Sequence, residues 1–334
     1  MNKAMLQSYS KAVAIIFSFT VFMLTAGSAC GERLVLEKTV LDKDTIWQGE
    51  VLLQGDVEVG SGVTLLIMPG TVIKVAKKEG FGSFKLYEDK NNHFPGIEIV
   101  VRGKIIAQGT EEQPIIFTSA AENPNPGDWG GVNILASKNN IIEYCEFSYA
   151  HTAVHGHSAH VVISRCYFHH NGVATGQKNV KDAGFDCVMP MLYNRITDNG
   201  GGILYGGGST PLIVHNEISN NKFFGIYAKK GGMATIRYNN IVNNGKGVIL
   251  FLIKNGMLLR DNNIADNEDY NISLLEGQTW NLDARNNWWG ETEGTKIRAK
   301  NRDKANDDTL AQIDVSNATN APIKGAGLRC SFKE

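Results

Sequence analysis

An asparagine returns along this chain at nearly even intervals: Asn194, Asn216, Asn239, Asn262 and Asn286. Two positions after each comes a large apolar residue, namely Ile196, Ile218, Ile241, Ile264 and Trp288. Three further on stands a second polar column, Asn199, Asn221, Asn244 and Asn267. Upstream, the register continues through Cys145 with Phe147, then Cys166 with Phe168 and Asn171. From Phe147 the apolar position advances by 21, 28, 22, 23, 23 and 24 residues. A period in the low twenties, rich in Asn, Gly and β-branched residues, defines a solenoid of stacked repeats.

Residues 234–249 show one unit, with three short β-type runs separated by Asn or Gly. No run is long enough for a helix, and Asn and Gly every few residues would stop one. Three such strands per repeat make one triangular coil of a parallel β-helix, each coil stacking on the next at about 4.8 Å. Asn and Gly suit the corners because both tolerate a left-handed backbone. Stacked Asn side chains also bond along their column, so they read as internal scaffold rather than a recognition strip.

The expected fold is all-β, a single-stranded right-handed parallel β-helix of about ten coils with capped ends. The segments are 1–29 as signal peptide, 30–46 as N-terminal cap, 47–290 as β-helix, and 291–334 as C-terminal cap and tail. Leu34 to Thr45 would cover the first coil, and Trp288 with Trp289 would plug the last. The charged run Lys300 to Asp308 reads as flexible. The 36 glycines, few prolines and net charge of −1 agree with one extended domain. They offer no basic run for nucleic acid.

Several strings in the earlier coils resemble the bacterial right-handed parallel β-helix proteins of the pectate-lyase-like superfamily. They are Trp47-Gln48-Gly49, the stretch from Gly62 to Val75, Val101 to Thr110, Pro114 to Ser119, and Gly127 to Val132. Asn286-Asn287-Trp288-Trp289-Gly290 closes the run. The resemblance covers roughly 47–290 and implies the fold more than a reaction, since the superfamily holds lyases, hydrolases, epimerases and adhesins. Its pectate lyases bind calcium through an acidic cluster on one strand face. No comparable cluster stands out on the corresponding strands here, so no metal or cofactor is expected.

The N-terminus carries export signals: Lys3 and Lys11, an apolar run from Ala12 to Leu24, then small residues before Cys30. Cys30 stands where a bacterial lipoprotein is lipidated, with Gly27 at a position usually held by Leu. Lipidation at Cys30 and ordinary cleavage nearby both remain open, and either sends the chain out of the cytoplasm. The expected location is the outer membrane as a lipoprotein, the periplasm, or the medium. Cys145 and Cys166 fall on adjacent coils and read as stacked buried thiols. No Cys-x-x-Cys or Cys–His spacing suggests zinc.

Six of the eight histidines fall in one stretch: His151, His155, His157, His160, His169 and His170. With Val154 set inward beside Ile203, Ile226, Val248 and Ile272, His155 and His157 point outward beside Tyr227 and Lys229 of later coils. The long interval from Phe168 to Ile196 adds a loop carrying Lys178, Lys181, Asp182 and Asp186. The expected binding residues are therefore His155, His157, Tyr227, Lys229, Lys181 and Asp182. These groups suit a sugar ring by acid–base or hydrogen-bonding chemistry, and imidazoles could also take a transition metal. A plain solvated surface is the competing reading. A second outward column, Tyr144, Arg165, Tyr193, His215, Tyr238, Asp261 and Arg285, could line up with an extended polymer. Lys77 to Pro95 reads as a long loop that walls a groove or covers the side of the helix.

Two functions follow as expectations. One is an exported cell-envelope protein that binds polysaccharide or another surface component. The other is a polysaccharide-active lyase, epimerase or hydrolase working beside His155 and His157.

Overall fold

The computed structural model describes residues 33–328. Three long parallel sheets of 10, 11 and 9 strands run lengthwise, and every coil but the last contributes one strand to each. Sheet I holds strands such as Cys145–Ser148, sheet II strands such as Thr152–His157, and sheet III strands such as Val161–Ser164. This is the right-handed parallel β-helix that the repeat implied.

The inward columns follow the apolar period. Phe117, Phe147 and Phe168 stack face to face in sheet I at 4.5 and 5.1 Å, and Ile196, Ile218, Ile241 and Ile264 continue the column. In sheet II, Val154 pairs with Thr175, and Ile203, Ile226, Val248 and Ile272 follow in register. All of these side chains are buried. Each such aliphatic residue contributes about 1.5–3 kcal/mol.

Two of the three corners are tight and carry the amides. Asn194, Asn216, Asn239 and Asn262 sit between sheets III and I, each fully buried. Asn216 Nδ2 donates to Asn239 Oδ1 at 2.9 Å and to Met191 O at 2.8 Å, and its backbone N–H donates to the same Asn239 oxygen. Asn171, Asn199, Asn221, Asn244 and Asn267 form the equivalent ladder between sheets I and II. From Asn171 onward the third corner, between sheets II and III, carries the longer loops; in the earlier coils the long segments 76–97 and 120–130 leave the corner between sheets I and II instead.

The corners differ from expectation in one respect. The left-handed residue is not the ladder asparagine but the one before it: Tyr193, His215, Tyr238 and Asp261 have φ of 56–59°. The turn thus aims the next side chain inward, and the buried amide then satisfies the corner. The last coil is also one residue longer than the period suggested. Asn286 takes the left-handed place at φ 60°, so Asn287, not Asn286, accepts from Asn262 at 3.1 Å. Trp289, at 3% exposure, is consequently the inward residue in place of Trp288.

Both ends extend the coil beyond the expected limits. Leu34–Leu36, Thr39–Leu41 and Thr45–Trp47 pair with the following strands and so form a first coil rather than a cap. Beyond 290, the helix Gly294–Ala299 buries Ile297, and Asn301–Arg302 adds a strand to sheet II. The run from Lys300 to Asp308 is held in place: Lys300 Nζ donates to Asn267 O, and Asp303 accepts from Ile313 N. Cys145, Cys166 and Cys187 are buried free thiols. The signal segment, Cys30 and Cys330 lie outside the described residues.

Candidate functional site

The segment between the strands Val72–Val75 and Glu98–Val101 leaves the corner between sheets I and II and folds back as a strap over the outer surface of sheet II. Its anchors are polar and buried. Lys85 Nζ lies 2.6 Å from Glu98 Oε2 and 3.2 Å from Asp56 Oδ1, and it donates to Gly96 O at 3.0 Å. All three side chains are fully buried. Burial pushes the Asp56 carboxyl up from its usual range, with Lys85 opposing the shift. Glu98 also meets His93 Nδ1 at 3.0 Å and accepts from Asn133 Nδ2 at 2.9 Å. Tyr87 donates to Glu58, stacks on His93 at 4.6 Å, and lies under the Arg102 guanidinium. No acidic group on this face was legible in the repeat pattern. The structure gathers Asp56, Glu58 and Glu98 there, with Lys85 and Arg102 against them.

Between strap and sheet lies a cavity of about 420 Å³. Phe81, Lys90 and the run from Asn91 to Pro95 line it from the strap, and His151, His155, His157 and Lys178 from the coils. The inferred register holds: His155 and His157 share the outer face of one strand, with ring centroids 4.4 Å apart. The strap makes them far less exposed than a bare surface would, leaving His157 at 4% exposure. Phe94 stacks on His151 at 5.1 Å and meets His155 edge-on at 5.2 Å. His155 Nδ1 is buried with no hydrogen-bond partner among the described residues. The next coil puts Gly176 opposite His155, and the imidazole fills the space a side chain there would need.

Burial holds these rings neutral. His157 is pulled down to about 3 by burial, with the Lys178 and His93 charges adding to it. His155 lies well below the usual range, from burial first and then from His157, Lys178 and Lys229. His151 is lowered by burial, against a smaller pull from Glu98. Lys178 is lowered by burial and by Lys229. None of the described residues lining the cavity is acidic. The chemistry on offer is therefore two cations, uncharged imidazole nitrogens and two phenyl faces, which suits an anionic, ring-bearing ligand.

The other expected residues separate into two groups. Tyr227 and Lys229 lie on the same outer face, two coils beyond Gly176; Tyr227 is reached through Leu204. They continue the face but do not line the cavity. Lys181 and Asp182 are exposed on the loop at the third corner and line no part of it. Of the six clustered histidines, His160 packs edge-on against Phe185 of that loop, and His169 bonds Glu146 on sheet I. His93 was missed because it stands alone in a segment with no repeat. Among the described residues no group of three His, Cys, Asp or Glu side chains is placed to hold a metal ion.

The second outward column is built in. Tyr193, His215 and Tyr238 stack at 5.0 and 5.2 Å, and Arg165 sits 5.6 Å from both Tyr144 and Tyr193. Its last place is held by Asn286 rather than Arg285. The C-terminal segment crosses it: Gly327 N donates to Tyr238 O at 2.8 Å, and Gly325 O meets His215 Nδ1 at 2.9 Å.

Two family comparisons agree with this architecture. A family described as a pectate-lyase-like beta helix domain matches residues 35–155, and one described as a right handed beta helix region matches 183–298. Together they span most of the chain, which belongs to the pectate-lyase-like right-handed β-helix superfamily. No curated protein and no solved structure gave a match.

Proposed function

We propose that this is an exported cell-envelope β-helix protein that binds acidic polysaccharide at the strapped cavity. The observation that carries the reading is the make-up of that cavity. Lys90 and Lys178 offer charge, Phe81 and Phe94 offer ring faces, and His155 Nδ1 is buried without a partner among the described residues. A buried polar atom left unpaired costs about 1–3 kcal/mol, which a ligand hydroxyl or carboxylate would relieve. Export rests on the charged start, the apolar run and the small residues before Cys30. A lipid at Cys30 would tether the solenoid to a membrane.

Turnover by lyase, epimerase or hydrolase chemistry is the second reading. Its support is that His155 and His157 are uncharged and adjacent, as a general base requires. Against it stands a lining without a carboxylate to share the proton transfers. The test is a panel of uronate-containing and neutral polymers, scored for binding, for new unsaturated ends and for new reducing ends. Binding without new ends supports the first reading. Activity lost in the His155→Ala/His157→Ala double variant supports the second. No binding to any polymer overturns both.

A further inference from the structure

We propose that the cavity receives the end of a glycan chain and not a stretch of its interior; this rests on the glycan-binding reading above. The outer face of sheet II is divided along its length. Tyr87 holds the strap to Glu58, and the Asn92 carbonyl accepts from Asn133 at 2.8 Å on a later coil. Phe94 then covers His151 and His155, and the Asn91 carbonyl accepts from Lys178 at 3.3 Å on the coil after. From Glu58 to Lys178 the face lies under the strap.

Beyond that point the face is open. Leu204, Tyr227 and Ile249 follow Gly176 in register and are all partly exposed. Phe224 meets Tyr227 edge-on at 5.7 Å, and Lys229 reaches over the Tyr227 ring at 5.9 Å. Gly176, Gly201 and Gly206 carry no side chain, so neighbouring His155, Phe224 and Lys229 fold over a low floor. Three coil steps from Gly176 to Ile249 give a strip of about 14 Å. It is long enough for a short run of sugar rings, with an aromatic and a cation to hold them.

A polymer lying on this strip meets the strap at His155 and His157. The strap is not a loose flap, because the Asp56, Lys85 and Glu98 side chains that hold it are fully buried. The strip therefore ends blind, and only a terminal sugar fits into the cavity while the next few rings lie over Leu204 and Tyr227.

The experiment titrates the full mature chain with size-defined oligogalacturonates and, separately, xylo-oligosaccharides, short and long. The expected result is one protein per oligogalacturonate chain at every length, with the neutral xylo-oligosaccharides bound more weakly. Chemical reduction or capping of one chain end should lower affinity more than tenfold. Protein molecules per chain rising in proportion to length, or affinity unchanged with both ends blocked, overturns the end-binding inference and leaves the glycan reading standing. Binding to neither series, with none in the wider panel, overturns the glycan reading and this inference with it.

Discussion

The imidazole of His155 lies over the backbone of Gly176, its register partner on the following coil. A β-carbon at 176 would overlap the ring, which is already confined by His157 and Phe94. Gly176→Ala should displace the imidazole while the coil survives, at a cost of about 1–3 kcal/mol from overpacking. Glycan affinity should fall about tenfold, the equivalent of one lost hydrogen bond. Calorimetric titration beside a thermal melt separates the two effects. Unchanged affinity would show that the position of His155 does not matter to binding.

Lys178 lines the cavity, whereas Lys181 and Asp182 stand outside it a few residues on. Lys178→Ala should weaken binding of a uronate oligomer by about 1.5–3 kcal/mol, as for loss of a charged hydrogen bond. Lys181→Ala and Asp182→Ala should each leave it within about twofold, since exposed charges away from a ligand contribute little. Equal losses in all three would relocate the site to the loop.

Acid should loosen this part of the molecule. The folded-state value of His157 lies below its unfolded value of 6.5, so the unfolded chain binds the extra proton. Its contribution to stability is complete above 6.5 and is lost as pH falls towards about 3. His155 and His151, also lowered, act in the same direction. Urea denaturation should therefore show falling stability from neutral pH to about pH 4, and His157→Asn should remove up to about 3 kcal/mol of that fall. Parallel pH curves for the two proteins would refute the assignment.

Asn239 is held on every side. Its amide donates to Ile213 O, Arg237 O and Asn262 Oδ1, and its oxygen accepts twice from Asn216. Asn239→Ala strands these partners in a buried corner and should destabilise by about 3 kcal/mol or more. Asn240→Ala, on the partly exposed neighbour, should cost well under half as much. Chemical denaturation midpoints of the two variants make the comparison.

The coil was legible because its signal repeats. Each inward Ile and each corner Asn is restated every low-twenties interval, so one mis-set member, such as Asn286 for Asn287, does not disturb the rest. The outward direction of His155 and His157 followed from the same register. The strap was not legible beyond its length and its aromatics. Lys85 meets Glu98 13 residues away, and Glu98 meets Asp56 across 42, each pairing occurring once. Nothing in composition separates Lys85 from Lys77, Lys78 or Lys90, because burial alone makes it different. The position of Lys181 and Asp182 outside the cavity was hidden for a related reason: the length of a loop reveals that it protrudes but not which way it turns.

The amide ladder has a direction. The backbone N–H and side-chain NH₂ of each rung reach forward to the oxygen of the rung on the following coil, from Asn194 to Asn216 and onward to Asn287. A newly laid coil is therefore incomplete until its successor arrives with an acceptor. Growth from the N-terminal side leaves one unfilled step in each ladder at the advancing front, and truncation within the ladders would reopen those steps for good.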